Sequence, residues 1–190
     1  MPVNSVRELV ALAKAKSGEL NYGATSAGAA NYLAAELFRA RAGVDIVRIP
    51  YRGGSLALSA TIAGEVHTTF AGPGAAALHV KSGRLKALAV TTAQPTVLAP
   101  GLPTVAASGY PGFEASSMLG LFLRAKTPAA LVTSLNQEIV RVFRKPEVKD
   151  QLFEFGTEGV GSKLEEFTAV IKSEMALMGK PIRDVGIRAE

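Results

Sequence analysis

Leu9, Val10 and Leu12 recur at helical spacing behind Ser5, and Glu8 stands three residues after that serine. This is a capping-box pattern, and it predicts a helix that begins at Ser5 and stops at Gly18. The run Glu19 to Tyr22, apolar from Leu20, reads as a short strand before the small and hydroxyl residues of Gly23 to Gly28. A second helical pattern follows over Ala27 to Ala42, with Leu33, Leu37 and Phe38 on its apolar face and Glu36, Arg39 and Arg41 toward water. Val44 to Ile49 is β-branched and predicts a strand, broken by Pro50-Tyr51-Arg52-Gly53-Gly54. Ser55 caps a short helix to Ile62 that closes at Gly64, and strand character resumes over Val66 to Phe70. Ala71-Gly72-Pro73-Gly74 breaks it, Ala75 to Lys81 is a helix stopped by Gly83, and Leu85 to Thr91 is the most apolar strand pattern.

Pro95, Pro100, Pro103 and Pro111 mark Ala93 to Gly112 as a linker or crossover between lobes. Beyond it Ser116 to Leu123 is strand-like. Thr127-Pro128 opens a helix carrying Leu131, Leu135, Ile139 and Val142 on one face, and Pro146 opens another that runs to Phe155 and ends at Gly156. Ser162 with Glu165 forms a second capping box, for a helix with Phe167, Ile171 and Met175 that fades near Gly179-Lys180-Pro181. No repeat relates the two halves.

Strands alternating with helices over the first half predict an α/β fold with a mainly parallel sheet flanked by helices. Three loops then share one edge of that sheet: Gly23 to Gly28, Tyr51 to Ser55 and Ala71 to Gly74. Each follows the carboxyl end of a strand and feeds a helix N-terminus, where unpaired N–H groups and the helix dipole favour an anion. Carboxylate and phosphate both qualify. Taken alone, the first loop also reads as an ordinary connection in which Ser26 or Thr25 caps the helix. Convergence of three such loops favours a binding site. The second half offers one strand, or two, with three helices, too few strands for an α/β lobe of its own.

Hydrophobic residues make up 48% of the 190, enough for a sizeable core, and charged residues 19%. The net charge of +5 raises nucleic acid as a partner. The basic residues are scattered, however, and Arg39, Arg41, Arg48 and Arg52 have no interleaved aromatic run beside them, so nucleic acid is not expected. Without cysteine there is no disulfide, thiolate metal site or Cys nucleophile. His67 and His79 lack metal-ligand spacing, so no metal is expected. Ser26, Ser55 and Ser59 lack a G-x-S-x-G setting, and neither Gly-rich loop carries the lysine of a phosphate loop. No catalytic residue and no cofactor follow from the motifs. No stretch reaches the roughly 18 apolar residues of a membrane span, and the residues after Met1 lack a signal-peptide pattern.

Several motifs occur in an order and spacing that resemble one family. They are Ser5-Val6-Arg7-Glu8-Leu9, Leu20-Asn21-Tyr22-Gly23, Ala34-Ala35-Glu36-Leu37-Phe38, Ile49-Pro50-Tyr51-Arg52-Gly53 and Lys81-Ser82-Gly83-Arg84-Leu85-Lys86-Ala87-Leu88-Ala89-Val90-Thr91. Leu102-Pro103-Thr104-Val105, Thr127-Pro128 and the closing Gly186-Ile187 continue the series. The chain resembles the periplasmic solute-binding receptors of tripartite tricarboxylate transporters, the TctC-like or Bug-type receptors. The resemblance implies a periplasmic-binding-protein-like fold in which two lobes close on a small carboxylate, and a membrane transporter as partner. By the same resemblance residues 1–105 are the ligand-binding lobe, the family's lobe two, and residues 106–190 an incomplete C-terminal part of lobe one. The implied ligand contacts are Ala24, Thr25, Ser26, Ala27, Gly28, Ala29 and Asn31 in the first loop, Tyr51, Arg52 and Gly53 in the second, and Ala71 and Gly72 in the third.

Two departures from the family pattern bear on function. Ala71 and His67 stand where members often carry Asp, which argues against an amino-acid ligand. Nothing here matches the family's signal peptide or the first-lobe segment whose Pro-Gly-Gly-type loop forms the other cleft wall. The expectation is a half-cleft that keeps the shape of a site with reduced affinity, and exposed apolar edges that lead to a homodimer, strand exchange or poor solubility. The contrasting reading is a small α/β anion-binding enzyme or intracellular sensor using the same loops.

Overall fold

A four-residue strand, β1 (Asn21–Ala24), forms the centre of the sheet in the computed structural model, which describes residues 1–184 and 186. Three of its four residues are buried. The strands β2 (Val47–Pro50) and β3 (Thr68–Thr69) lie on either side of it, both parallel, in the order β2-β1-β3. Helices separate the strands in sequence: α1 (Val6–Ala15) precedes β1, α2 (Ala30–Ala42) joins β1 to β2, α3 (Gly54–Ala63) joins β2 to β3, and α4 (Pro73–Lys81) follows β3. The architecture is the expected α/β one, a parallel sheet flanked by helices.

The chain divides into two compact units, residues 1–117 with the end of the last helix from Pro181, and residues 118–180. In the first unit α1 contributes Val6, Leu9, Val10 and Ala13 to the core, β1 contributes Tyr22 and Ala24, and α2 contributes Ala34, Ala35 and Phe38. The Phe38 ring sits 5.8 Å from that of Phe70, 6.0 Å from Tyr110 and 6.3 Å from Phe113, in tilted or edge-on geometries that aromatic quadrupoles favour. Residues read as a linker are therefore anchored: Tyr110 packs on Phe38, and the Arg41 guanidinium donates to the Pro111 carbonyl at 2.7 Å.

Local signals set most helix ends. The Ser5 hydroxyl accepts from the Glu8 N–H at 3.2 Å, and the Glu8 carboxylate reaches back to the Asn4 N–H at 2.7 Å. Gly43 and Gly64 close α2 and α3 in the left-handed conformation, at φ 60° and 80°, which costs glycine little. Other expectations are corrected. The first helix stops at Ala15; Gly18, at φ 76°, instead lies in the following turn and donates to the Asp45 carbonyl. Gly53, with no side-chain bond, occupies the cap position expected of Ser55, because the backbone leaves the extended conformation two residues earlier. The strand read over Val44 to Ile49 begins only at Val47, since its ladder partner β1 is four residues long.

Two predicted strands are not strands. Leu85 to Thr91 forms one isolated parallel bridge, between Val90 and Thr104. Val90 donates to the Pro103 carbonyl and accepts from the Val105 N–H, but Pro103 has no N–H to extend the ladder. Ser116 to Leu123 is exposed and unpaired among the described residues.

The second unit is helical among the described residues: α5 (Ala129–Phe143), α6 (Pro146–Glu154) and most of α7 (Leu164–Asp184). Thr127-Pro128 and Pro146 start α5 and α6 as the sequence predicts, and Gly156, at φ 72°, follows α6. The second capping box is shifted, with the Glu166 carboxylate accepting from the Lys163 N–H at 2.9 Å. The helix α7 does not fade at Gly179 but continues through Pro181 to Asp184. Phe167 packs on Gly120, where an added Cβ would come within 2.1 Å of the ring, and lies 5.7 Å from the Phe122 ring. Of the closing Gly186-Ile187 motif, Ile187 lies outside the described residues.

Candidate functional site

Because all three strands run parallel, their carboxyl ends share one edge, and the N-termini of α2, α3 and α4 follow from it. The caps there are Ala29, Gly53 and Gly72, and none makes a side-chain capping bond. Pro73 occupies the first turn of α4, where its missing N–H costs nothing. This corrects the reading of Thr25 or Ser26 as a cap for α2. The Thr25 hydroxyl instead donates to the Asn31 side-chain carbonyl at 2.7 Å, and the helix begins at Ala30, not Ala27.

The first loop leaves β1 at buried Ala24 and passes through half-buried Thr25, exposed Ser26, half-buried Ala27 and exposed Gly28 to Ala29. The Ala29 N–H donates to the Ser26 carbonyl at 3.2 Å, closing a turn, and Gly28 is left-handed at φ 88°. The second loop is tied directly to the first, since the Tyr51 N–H donates to the Ala24 carbonyl at 2.8 Å. Beside it, an added Cβ on Gly23 would lie 3.3 Å from the half-buried Tyr51 ring and 3.2 Å from the Ala57 Cβ. Glycine at 23 thus lets Tyr51 and α3 close onto β1. Arg52 is exposed and Gly53 half-buried. In the third loop Ala71 and Gly72 are exposed; Thr69, just before it, pairs with Gly23 and donates its hydroxyl to the Gly23 carbonyl at 2.9 Å.

Sequence reasoning missed what lies behind the first loop. Arg48, opposite Tyr22 in the register of β2, donates from Nη2 to the Thr25 carbonyl at 2.8 Å, and its guanidinium carbon lies 4.5 Å from the centre of the Tyr32 ring. The available signal was its place in β2 three residues before Tyr51, with an aromatic in the first turn of α2. Glu36 was read as facing water and is buried. The Tyr22 hydroxyl donates to its carboxylate, and the Arg39 guanidinium donates to the same carboxylate at 2.8 and 3.2 Å. Burial, then the hydrogen bond to Glu36 and its charge, push the Tyr22 hydroxyl well above the ordinary tyrosine range. The hydrogen bond to Glu36 likewise raises Arg39, outweighing its partial burial.

His67 stands at the opposite end of its strand from the three loops, where the Asn21 N–H donates to its Nδ1 at 3.1 Å. It faces none of them. Among the described residues no group of three or more His, Cys, Asp or Glu side chains could hold a metal ion, and no helix is long and apolar enough to cross a membrane. What the edge offers chemically is backbone donors, hydroxyls and guanidinium groups around a surface of small residues. No Asp or Glu occurs in residues 24–31, 51–55 or 70–75.

The fold is of the periplasmic-binding-protein class. The structure superposes on that of the periplasmic binding protein BugD with a TM-score of 0.83, covering all of this chain and 64% of that one, at 23% identity, a level that speaks for the fold alone. Residues 1–187 match the tripartite tricarboxylate transporter family receptor, TctC, and the chain belongs to that family. It is 31% identical to the UPF0065 protein of the tcbD-tcbE intergenic region of Pseudomonas sp. (strain P51) over 193 residues, 97% of this chain and 55% of that protein. Rpa4515 of R. palustris, whose structure was solved with adipate, is 32% identical with a TM-score of 0.90, over all of this chain and 64% of that one. The chain spans little more than half the length of most curated relatives it matches. The family is one of receptors rather than enzymes, which sets aside the reading of a small anion-binding enzyme.

Proposed function

We propose that this chain carries a carboxylate-binding wall of an extracytoplasmic receptor that delivers solute to a tripartite tricarboxylate transporter. The observation that carries the reading is the edge itself: three helix N-termini approached through loops of small residues, with no acidic side chain in any of them. At about 0.3–1 kcal/mol per terminus, dipoles alone contribute about 1–3 kcal/mol toward an anion. Millimolar binding needs about 4 kcal/mol, so hydrogen bonds from loop N–H groups and hydroxyls supply the remainder. In this reading Ala24, Thr25, Ser26, Ala27, Gly28, Ala29, Asn31, Tyr51, Arg52, Gly53, Ala71 and Gly72 surround the ligand. Rpa4515, solved with a dicarboxylate, supports that ligand class here. Residues 1–105 correspond to the family's lobe two and residues 106–190 to part of lobe one, the location is periplasmic, and the partners are the transporter's membrane subunits.

Thermal unfolding with adipate, malate, a monocarboxylate and inorganic phosphate tests this. A dicarboxylate at a hundred times its Kd adds about 2.7 kcal/mol of stability and raises the melting temperature. Ser26→Asp, which places a negative charge at the α2 terminus, is expected to weaken binding about tenfold or more. No rise with any dicarboxylate at high concentration, or an unchanged affinity in Ser26→Asp, overturns the assignment of this edge.

A further inference from the structure

Eight residues separate Thr25 from Tyr32 inclusive, and one side chain from another strand grips both ends of that stretch. The Arg48 guanidinium donates to the Thr25 carbonyl at 2.8 Å, where the chain leaves β1, and stands 4.5 Å from the centre of the Tyr32 ring, where α2 has begun. Between these points the loop has the Thr25 hydroxyl on Asn31, one Ala29-to-Ser26 turn bond, and a left-handed Gly28 with open space around it. Alanines and a glycine give the loop little side-chain packing of its own. Its shape therefore depends on what holds its ends.

We infer that Arg48 is the positioning residue of the first loop, closing it like a staple so that the N–H groups of residues 26–28 stand in a fixed arrangement before an anion arrives. The role needs arginine in particular. A planar guanidinium can lay its face on an aromatic ring while its edge donates to a carbonyl, whereas an ammonium is a point charge that satisfies one of these well. Arg48 is half-buried and bonded to the loop's own carbonyl, so it acts through the loop and is not itself assigned a ligand contact. Arranging the donors beforehand lowers the ordering cost of binding.

The inference rests on the carboxylate reading only for its consequence in affinity; the loop's order is measurable without ligand. In the unliganded protein, backbone amide order parameters of residues 26–29 are expected near the rigid value of about 0.85 and to fall toward about 0.6 in Arg48→Gln. The amides of Arg52 and Gly53 in the second loop stay unchanged. Arg48→Lys, which keeps the charge, shows the same loss of order, and Tyr32→Leu, which leaves the Thr25 bond intact, shows a smaller one. With adipate as probe, Kd rises about tenfold in Arg48→Gln and Arg48→Lys. Unchanged order at residues 26–29 in Arg48→Gln, or full recovery of order and affinity in Arg48→Lys, overturns the positioning role. If the wild-type protein binds no adipate while the loop-order pattern holds, the ligand reading fails and the positioning role stands.

Discussion

The Tyr22 hydroxyl is fully buried, donates to Glu36 and shares that carboxylate with Arg39, which ties β1 to α2 just below the loop that feeds the site. The pH dependence follows from its direction of shift. The folded state holds the phenol proton well above pH 10, the ordinary tyrosine value. Below pH 10 both folded and unfolded chains keep the proton and the contribution is complete; above it the unfolded chain releases its proton first, so stability falls as pH rises. Tyr22→Phe is expected to cost about 1.5–3 kcal/mol at pH 7, the value of a hydrogen bond to a charged group. Above pH 10 the variant loses less than the wild type, by up to about 1.4 kcal/mol per pH unit. Urea unfolding from pH 7 to 11 measures both, and parallel pH profiles would refute the assignment. None of this is visible in one dimension: helical periodicity assigns a glutamate to the wet face, and only the neighbouring strand reveals the phenol that makes burial acceptable. The small residues of Gly23 to Gly28 were legible as a strand-to-helix connection, which is where the structure places them; Arg48 was not, because its partners come from that loop and α2.

Helices were read well and strands poorly, for a physical reason. A helix closes its hydrogen bonds within itself, so Ser5, Pro128, Pro146 and Gly64 mark boundaries that the structure keeps or shifts by a residue or two. A strand exists only where another backbone accepts it. Leu85 to Thr91 has the apolar composition of a strand but meets Pro103, and only one bridge forms. Thr68–Thr69 is just two residues long, yet it orders the third loop because it pairs with the middle of β1. The helix that follows the first loop is α2, and Phe38 is its anchor, 4% exposed and in contact with three other rings. Truncation in Phe38→Ala removes a buried aromatic from this cluster and is expected to cost about 3–5 kcal/mol. Phe70, beside the third loop, loses its tilted ring partner in the same variant. Protection of the α2 and residue 70–72 amides against hydrogen exchange should therefore drop together, and loss confined to α2 would show that the third loop is held independently.

At the scale of the whole molecule, motif order over the chain pointed to the family, and the α/β character of the first half was legible from its alternation of elements. The state of residues 118–123 was not, because the same apolar pattern describes a strand inside a sheet and a segment with no strand beside it. Here Leu119 is 83% exposed, Leu121 71% and Phe122 75%, in no helix or ladder among the described residues. An exposed apolar segment with unused N–H and C=O groups is a template for another chain. The chain is accordingly expected to self-associate with rising concentration, seen by sedimentation velocity as a shift to dimers or larger species. Leu119→Ser with Leu121→Ser removes the two most exposed leucines of the segment; at about 1.5–3 kcal/mol for each leucine buried in a contact, the pair should weaken association by tenfold or more. Exposed positions carry little folding energy, so melting temperature should change little. A wild-type chain that sediments as a monomer across the concentration series, or a double variant that associates as strongly, would show that this segment is not the contact surface.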